Sequence, residues 1–202
     1  MALADDITRL GAAMNTPLGV PPFALGVPPG TSPGASGVDA SLFDLPAQAF
    51  GGLAFAPETF FLGRTVGAGV VRDAFGRIVR RCSVATIGAY SAAQQALRFD
   101  ETFVYDDGEI DTWRWVMQAG RDGRYVAAEA KAGSGLVGER QGDDYVISFR
   151  RPAGRARGPL APHYRSRFTL LSPDIALKRA DVSLLGVPMG SLNAIHRRVV
   201  GE

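Results

Sequence analysis

The chain is poor in the residues that bind metals and close disulfides: one cysteine, Cys82, and two histidines, His163 and His196, in 202 residues. A single thiol cannot form an internal disulfide, so the fold needs no oxidising compartment. So few ligands, without close spacing, argue against a structural zinc site, and no metal is expected. No stretch approaches the roughly 18 uninterrupted apolar residues of a membrane span. The opening, MALADDITRLGAAM, has no basic n-region and no sustained apolar core, and Asp5 and Asp6 stand where a signal peptide wants lysine or arginine. Unless a leader has been removed, the expected address is cytoplasmic. Charge of one sign is also missing. With 22 basic and 20 acidic residues the net charge is +2, and the arginines are scattered rather than striped, which leaves no field to recruit nucleic acid. The glycine-bearing runs Gly133-Ser134-Gly135 and Gly138-Glu139-Arg140 lack the following lysine and hydroxyl residue of a phosphate loop, and Ser134 lacks the strand-to-helix setting of a nucleophile elbow.

What is present is a composition 46% hydrophobic and 21% charged, enough for one domain with a real core. Residues 4–14 have the spacing of one short amphipathic helix, with Ile7, Leu10 and Met14 on one side. Proline and glycine then dominate from Thr16 to Gly37, which makes an extended arm rather than a sheet strand. That arm is either a flexible tail or a strap burying Phe23, Leu25 and Val27, open to pairing with a second copy as a homodimer. Val38 to Phe50 has room for a second short helix or a turn, anchored by Phe43 and Leu45. The division expected is residues 1–57 for helix and arm, and 58–202 for the body.

After Pro57 the pattern changes to short strands with regular punctuation. Asp73-Ala74-Phe75-Gly76 suits a type I turn. Asp106-Asp107-Gly108 suits a tight hairpin, since Asp-Gly accepts positive φ. Further breaks are expected at Gly133-Ser134-Gly135, at Gly142-Asp143-Asp144, at the basic loop from Arg155 to Pro162, at Ser172-Pro173-Asp174 and across Gly186 to Gly190. Eight or nine successive strands with no helix-period segment among them predict an all-β, up-and-down antiparallel barrel, which removes exposed sheet edges. Around eight strands enclose side chains or one small ligand.

The stretch from Ala96 to Gln118 carries the most information. Leu97, Phe99, Glu101, Phe103 and Tyr105 share one strand face, and Trp113, Trp115 and Met117 share a face of the next strand. Glu101 is a carboxylate in the middle of an aromatic face, and a buried acid must find a partner or shift its pKa upward. It reads either as a structural acid paired with an arginine or as a general acid/base in a dry pocket. The tryptophans read as core bulk or as an aromatic wall for a flat apolar ligand.

Phe60-Phe61-Leu62-Gly63, the run from Val70 to Arg77, Glu101-Thr102-Phe103-Val104-Tyr105-Asp106-Asp107-Gly108, Trp115, Gly138-Glu139 with Gly142, and the run from Gly186 to Gly190 resemble the bacterial domain-of-unknown-function 3833 family, over roughly residues 58–198. The resemblance implies a lipocalin-like (calycin) barrel and little about chemistry. Members of that family often look like exported lipoproteins, whereas no lipid-attachment cysteine stands near the start here. The family's late Asp-Asp-Trp run is replaced by Ser166-Arg167-Phe168. The expectation from these departures is a specialised cytoplasmic branch.

Several further residues are candidates. Tyr105 could donate to a substrate oxygen or cap the barrel mouth. Tyr125, Ala127, Glu129 and Lys131 share a face, and two charges two residues apart favour that face pointing outward; pointing inward, they would add a charged pair to the site. Tyr145 lies on a later strand. In the strand from His163, Tyr164, Ser166, Phe168 and Leu170 are the inward set, which leaves Arg167 outside, a candidate anion binder only if the strand twists. His163 stands at a strand start, where it could shuttle protons at the rim, and His196 is expected on the surface. The assembled expectation is a hydrophobic, aromatic small molecule held by Phe99, Phe103, Trp113, Trp115, Met117, Glu129, Lys131 and Tyr145. Cofactor-free lyase or isomerase chemistry would run on Glu101, Tyr105, His163 and Arg167. The alternatives are a non-catalytic carrier or sensor, recognisable by ionisable groups that neutralise one another, and a structural protein with a filled barrel.

Overall fold

The structure is a computed structural model that describes residues 52–152 and 161–199. The short helix at 4–14, the proline-rich arm and the second helical segment all lie outside the described residues.

A helical turn, α1 (Pro57–Phe60), precedes strands β1 (Gly63–Asp73), β2 (Ile78–Ser91), β3 (Ala96–Tyr105), β4 (Ile110–Ala119), β5 (Arg124–Glu129), β6 (Gly133–Gln141), β7 (Asp144–Arg150), β8 (His163–Ser172), β9 (Ile175–Leu184) and β10 (Val187–Arg198). Each strand pairs antiparallel with the next, and β1 pairs with β10 to close the barrel. The expected all-β, up-and-down barrel is therefore what forms, with ten strands rather than eight or nine. In β3 the burial alternates as the sequence pattern demands: Leu97, Phe99, Glu101 and Phe103 face in, while Arg98, Asp100 and Thr102 are half-buried.

The turns follow their side chains. At Asp73 to Gly76 the Asp73 carboxylate accepts the amides of Phe75 and Arg77, and Gly76 takes φ +81°. At Asp106-Asp107-Gly108 only Gly108 has positive φ, with Tyr105 accepting its amide, so the loop is a three-residue turn rather than the tighter hairpin expected. Two breaks are displaced from the glycines that suggested them. Gly133-Ser134-Gly135 belongs to β6, because Glu129 Oε2 accepts the amides of Lys131 and Ala132 and makes the turn earlier. The last turn is Leu185-Gly186 alone, with φ +52° and +85°, the signature of a two-residue type I′ hairpin.

One end of the barrel is stoppered. Pro57 starts α1 where its missing amide costs nothing, and Phe55, Phe60 and Phe61 push into the barrel. Phe61 stacks on Phe99 at 4.6 Å between ring centroids, and Phe55 stacks on Phe168 at 5.2 Å. β1 starts only at Gly63 because Phe60 and Phe61 serve this plug. Gly88 on β2 is its seat: a Cβ there would lie 2.0 Å from the Phe61 carbonyl oxygen.

Truncating the plug tests its contribution. Phe61→Ala should cost about 3–5 kcal/mol in urea unfolding, and Gly88→Ala should also destabilise by displacing the Phe61 backbone. Unchanged midpoints for both would show that the plug is not part of the cooperative fold.

Candidate functional site

At the unplugged end a cleft of about 230 Å³ opens between Tyr105, Trp113 and Tyr164, with Arg80 and Asp111 at its edges and residues 189–192 of β10 opposite. A larger cleft of about 420 Å³ lies beside α1, lined by Glu58, Leu62, Tyr90, Leu97, Met117 and Tyr125. The aromatic and charged residues singled out in the β3–β4 hairpin converge at the first cleft and beneath it.

Beneath it lies a buried ion pair. Lys178 Nζ donates to Glu101 Oε2 at 2.5 Å, with both side chains inaccessible. The ammonium sits over the rings of Trp113, Phe103 and Phe168 at 4.3, 5.0 and 5.3 Å. Burial pushes the Lys178 amine below its ordinary value, against the opposing pull of Glu101. His196, expected on the surface, is fully buried, and its Nε2 lies 3.4 Å from Glu101 Oε1. Burial, helped by the Lys178 cation, lowers its pKa to about 3, so the ring is neutral and the contact is not an ion pair. Among the described residues neither of its nitrogens has a hydrogen-bond partner, and Thr65, Thr86 and Ser166 also hold unpartnered buried hydroxyls. Thr65, Thr86, Glu101 and Trp113 stand directly opposite one another across β1 to β4, a polar row within an apolar lumen.

A second pair lies beside Trp113. Arg151, fully buried, donates to both carboxylate oxygens of Asp111 at 2.8 and 2.9 Å, and Asp111 also accepts from Lys131 Nζ and Trp113 Nε1, each at 2.9 Å. Burial alone would raise the Asp111 pKa, but these donors outweigh it and hold the carboxyl well below its ordinary value. Arg151 Nε stands 3.2 Å from Glu129, and its guanidinium lies 4.7 Å from the Trp113 ring centroid. At the rim, Arg80 pairs with Asp107 and Glu109 at 2.6 and 3.0 Å and lies over Tyr105 at 3.8 Å. Burial raises the Tyr105 pKa well above its ordinary value, so the phenol remains a donor.

The expected site residues separate accordingly. Glu101, Tyr105, Phe103 and Trp113 come together. Trp115 and Phe99 are buried in the aromatic core below them, while Met117 and Tyr145 meet at the plugged end, where the Tyr145 hydroxyl is 3.7 Å from Met117 Sδ. Glu129 points inward rather than outward because Arg151 neutralises it, and Lys131 lies past the strand end, half-exposed. Arg167 points outward, paired with Asp144 at 2.8 Å, and His163 stands half-buried at the start of β8, away from the cleft. The partner of Glu101 is a lysine, not the arginine expected. Lys178 could have been found from Ala176 and Ala180 on either side of it in β9, small residues that leave room for a long inward chain. Arg151 carried no such signal. Among the described residues no group of histidine, cysteine and carboxylates is placed to hold a metal ion.

Two measurements probe this interior. Glu101→Leu strands the Lys178 cation and should cost about 3–5 kcal/mol, whereas Glu101→Leu with Lys178→Met should recover most of that loss; equal losses would mean that the two residues are not coupled. His196 is neutral when folded but titrates near 6.5 when unfolded, so the unfolded chain binds the extra proton as pH falls. Its contribution should fall by about 2 kcal/mol between about pH 7.5 and about pH 5 in urea titrations. His196→Phe should remove that slope, and a slope unchanged by the substitution would contradict the buried neutral ring.

No curated protein sequence matches the chain. Among solved structures it is similar to the S-type phycobiliprotein lyase CPES from Guillardia theta, at 12% identity and a TM-score of 0.54, covering 73% of this chain and 95% of that one. It is also similar to a protein of unknown function from the DUF3598 family of Nostoc punctiforme, at 11% identity and a TM-score of 0.49, covering 72% of this chain and 50% of that one. The fold shared with the first of these is a lipocalin-like barrel. The family model described as "Protein of unknown function (DUF3833)" matches residues 47–198, and the chain belongs to that family.

Proposed function

We infer that this protein binds a small apolar molecule, with at least one flat aromatic part, in the open mouth of its barrel. The observation that carries this reading is the cleft between Tyr105, Trp113 and Tyr164, whose neighbouring charges are neutralised by one another: Arg80 by Asp107 and Glu109, Asp111 by Arg151 and Lys131, Glu101 by Lys178. Apart from Arg72 at its edge, which bonds the Gly76 carbonyl rather than a carboxylate, such a mouth presents aromatic faces among paired charges, which suits a ligand held by stacking and one or two hydrogen bonds. At about 230 Å³ the cleft is smaller than a drug-sized pocket, so the ligand is small or only partly enclosed. Closed barrels of this size class leave room for one such molecule at the mouth.

The second reading is acid–base catalysis, of lyase or isomerase type, in the cytoplasm. It is favoured by the Glu101 Oε1 and His196 nitrogens, which lack hydrogen-bond partners among the described residues and could exchange a proton. Against it, Trp113 both lines the cleft and covers Lys178, so the buried acid does not face the ligand directly. Mutual neutralisation favours the carrier.

Native mass spectrometry of the protein purified from its own host, followed by extraction of the bound fraction, tests the proposal. An aromatic compound should be retained, and Tyr164→Ala should weaken its binding roughly tenfold by loss of a stacking wall. A protein that stays empty, with no quenching of its tryptophan fluorescence by any of a panel of aromatic metabolites, would overturn it. Turnover abolished by Glu101→Gln with binding intact would establish the catalytic reading instead.

A further inference from the structure

The hydrogen-bonding groups at the mouth are unevenly spent. The chain has five tyrosines. Tyr125 donates its hydroxyl to Glu58 Oε1 at 3.3 Å, Tyr145 donates to Met117 Sδ, and Tyr90 is half-exposed. Tyr105 and Tyr164 remain, and both line the mouth cleft. Among the described residues neither hydroxyl has a hydrogen-bond partner, yet neither is one of the atoms closed off from solvent. Tyr164 is only 8% exposed, its ring held against Trp113 and Phe149 at 5.4 and 5.5 Å between centroids. What surface its hydroxyl keeps is turned to the cleft. Holding a phenol in the wall without a partner is costly, and the barrel gains no bond from it.

The acceptors around these hydroxyls are occupied. Each Asp111 oxygen takes two donors, Arg151 and Lys131 on Oδ1 and Arg151 and Trp113 on Oδ2. Asp107 Oδ1 accepts from Arg80 and from the Glu109 amide. Glu109 gives Oε2 to Arg80 and keeps Oε1 at the solvent edge. Ser191 Oγ, also in the lining, accepts from Asn193, which leaves its proton to give. Arg72 bonds the Gly76 carbonyl and has further N–H groups without a partner among the described residues. The mouth therefore offers mainly donors: two phenols, a hydroxyl and a guanidinium. Burial raises the pKa of both phenols, which stay protonated. The lining charges, Arg72 and Arg80 against Glu109 and Asp111, cancel. So do those behind them, Arg151 and Lys131 against Asp107 and Glu129. An acceptor that fits this mouth needs no charge of its own.

We propose that the ligand of the mouth is an uncharged aromatic carbonyl compound, whose carbonyl oxygen accepts hydrogen bonds from the hydroxyls of Tyr105 and Tyr164. The inference rests on the binding reading and names the polar chemistry which that reading leaves open. Stacking against aromatic walls accepts any flat molecule; the phenols select among them. A site built to bond a polar atom rejects the analogue that lacks it, because its own donors are then buried unpaired.

The test titrates the full chain with acetophenone and ethylbenzene, which are close in size and differ in the carbonyl, and with benzoate as the anion, reading affinities from amide shifts in NMR spectra. In the variant combining Tyr105→Phe and Tyr164→Phe, the ratio of acetophenone to ethylbenzene affinity should fall roughly tenfold from its wild-type value, through loss of two neutral hydrogen bonds. The variant should melt with wild type, since no group of the protein loses a partner. An unchanged ratio overturns the proposal and leaves the binding reading standing, as does benzoate held more tightly than acetophenone by wild type. A variant that melts several degrees lower also overturns it, because the hydroxyls would then be bonded within the protein. If neither acetophenone nor ethylbenzene binds, the binding reading and this inference fall together.

Discussion

Two opposite charges locked inside an apolar tube dictate much of this molecule. Glu101 on β3 and Lys178 on β9 are separated in the sheet by β2, β1 and β10, so their bond crosses the lumen rather than running along the wall. Each charge is tolerable only because the other is there, and the aromatic rings around them serve as a poor but sufficient solvent for the cation. A slip of either strand by one residue would turn a charge outward and leave its partner buried alone. The pair therefore acts as a register key for strands that have no direct contact.

Trp113 joins this interior to the surface. Its ring lies close to the Lys178 ammonium and the Arg151 guanidinium, its Nε1 is tied to Asp111, and its edge lines the mouth. An indole held in this way cannot rotate without uncovering a cation. The mouth is accordingly preorganised: its aromatic wall is fixed by electrostatics within the core rather than by contact with a ligand.

Much of this was legible in the sequence. Period-2 alternation identified the inward faces of β3, β4 and β8, and the turn residues at Asp73 to Gly76 marked their hairpin. Glu101 stood out because it interrupts an aromatic face. Where the reading failed, a long-range partner decided the outcome. Glu129 resembles a solvated residue until Arg151, which lies next to a basic loop, is brought against it. His196 resembles a tail residue because two arginines follow it, yet Leu192 and Ala194 share its face. Local pattern tells which way a side chain points; it does not tell which charge waits on the far wall. The turns at Ala130 to Ala132 and at Leu185-Gly186 were misplaced for a related reason: glycine-rich runs drew attention, while a glutamate bonding its own backbone and a leucine with positive φ set the actual breaks.

The closure of the barrel has a consequence for how the chain is made. Ribosomal synthesis delivers β1 and Glu101 long before β9 and β10, and β1 has only one neighbour until β10 emerges. The seam β1–β10 joins segments more than a hundred residues apart, a contact of high order that forms slowly. Until then Glu101 has neither Lys178 nor His196, and the half-built sheet carries an open edge at β1, two strands from that acid. A carboxylate without its partner resists burial, and the charge that opposes early collapse becomes the clasp once the last two strands arrive.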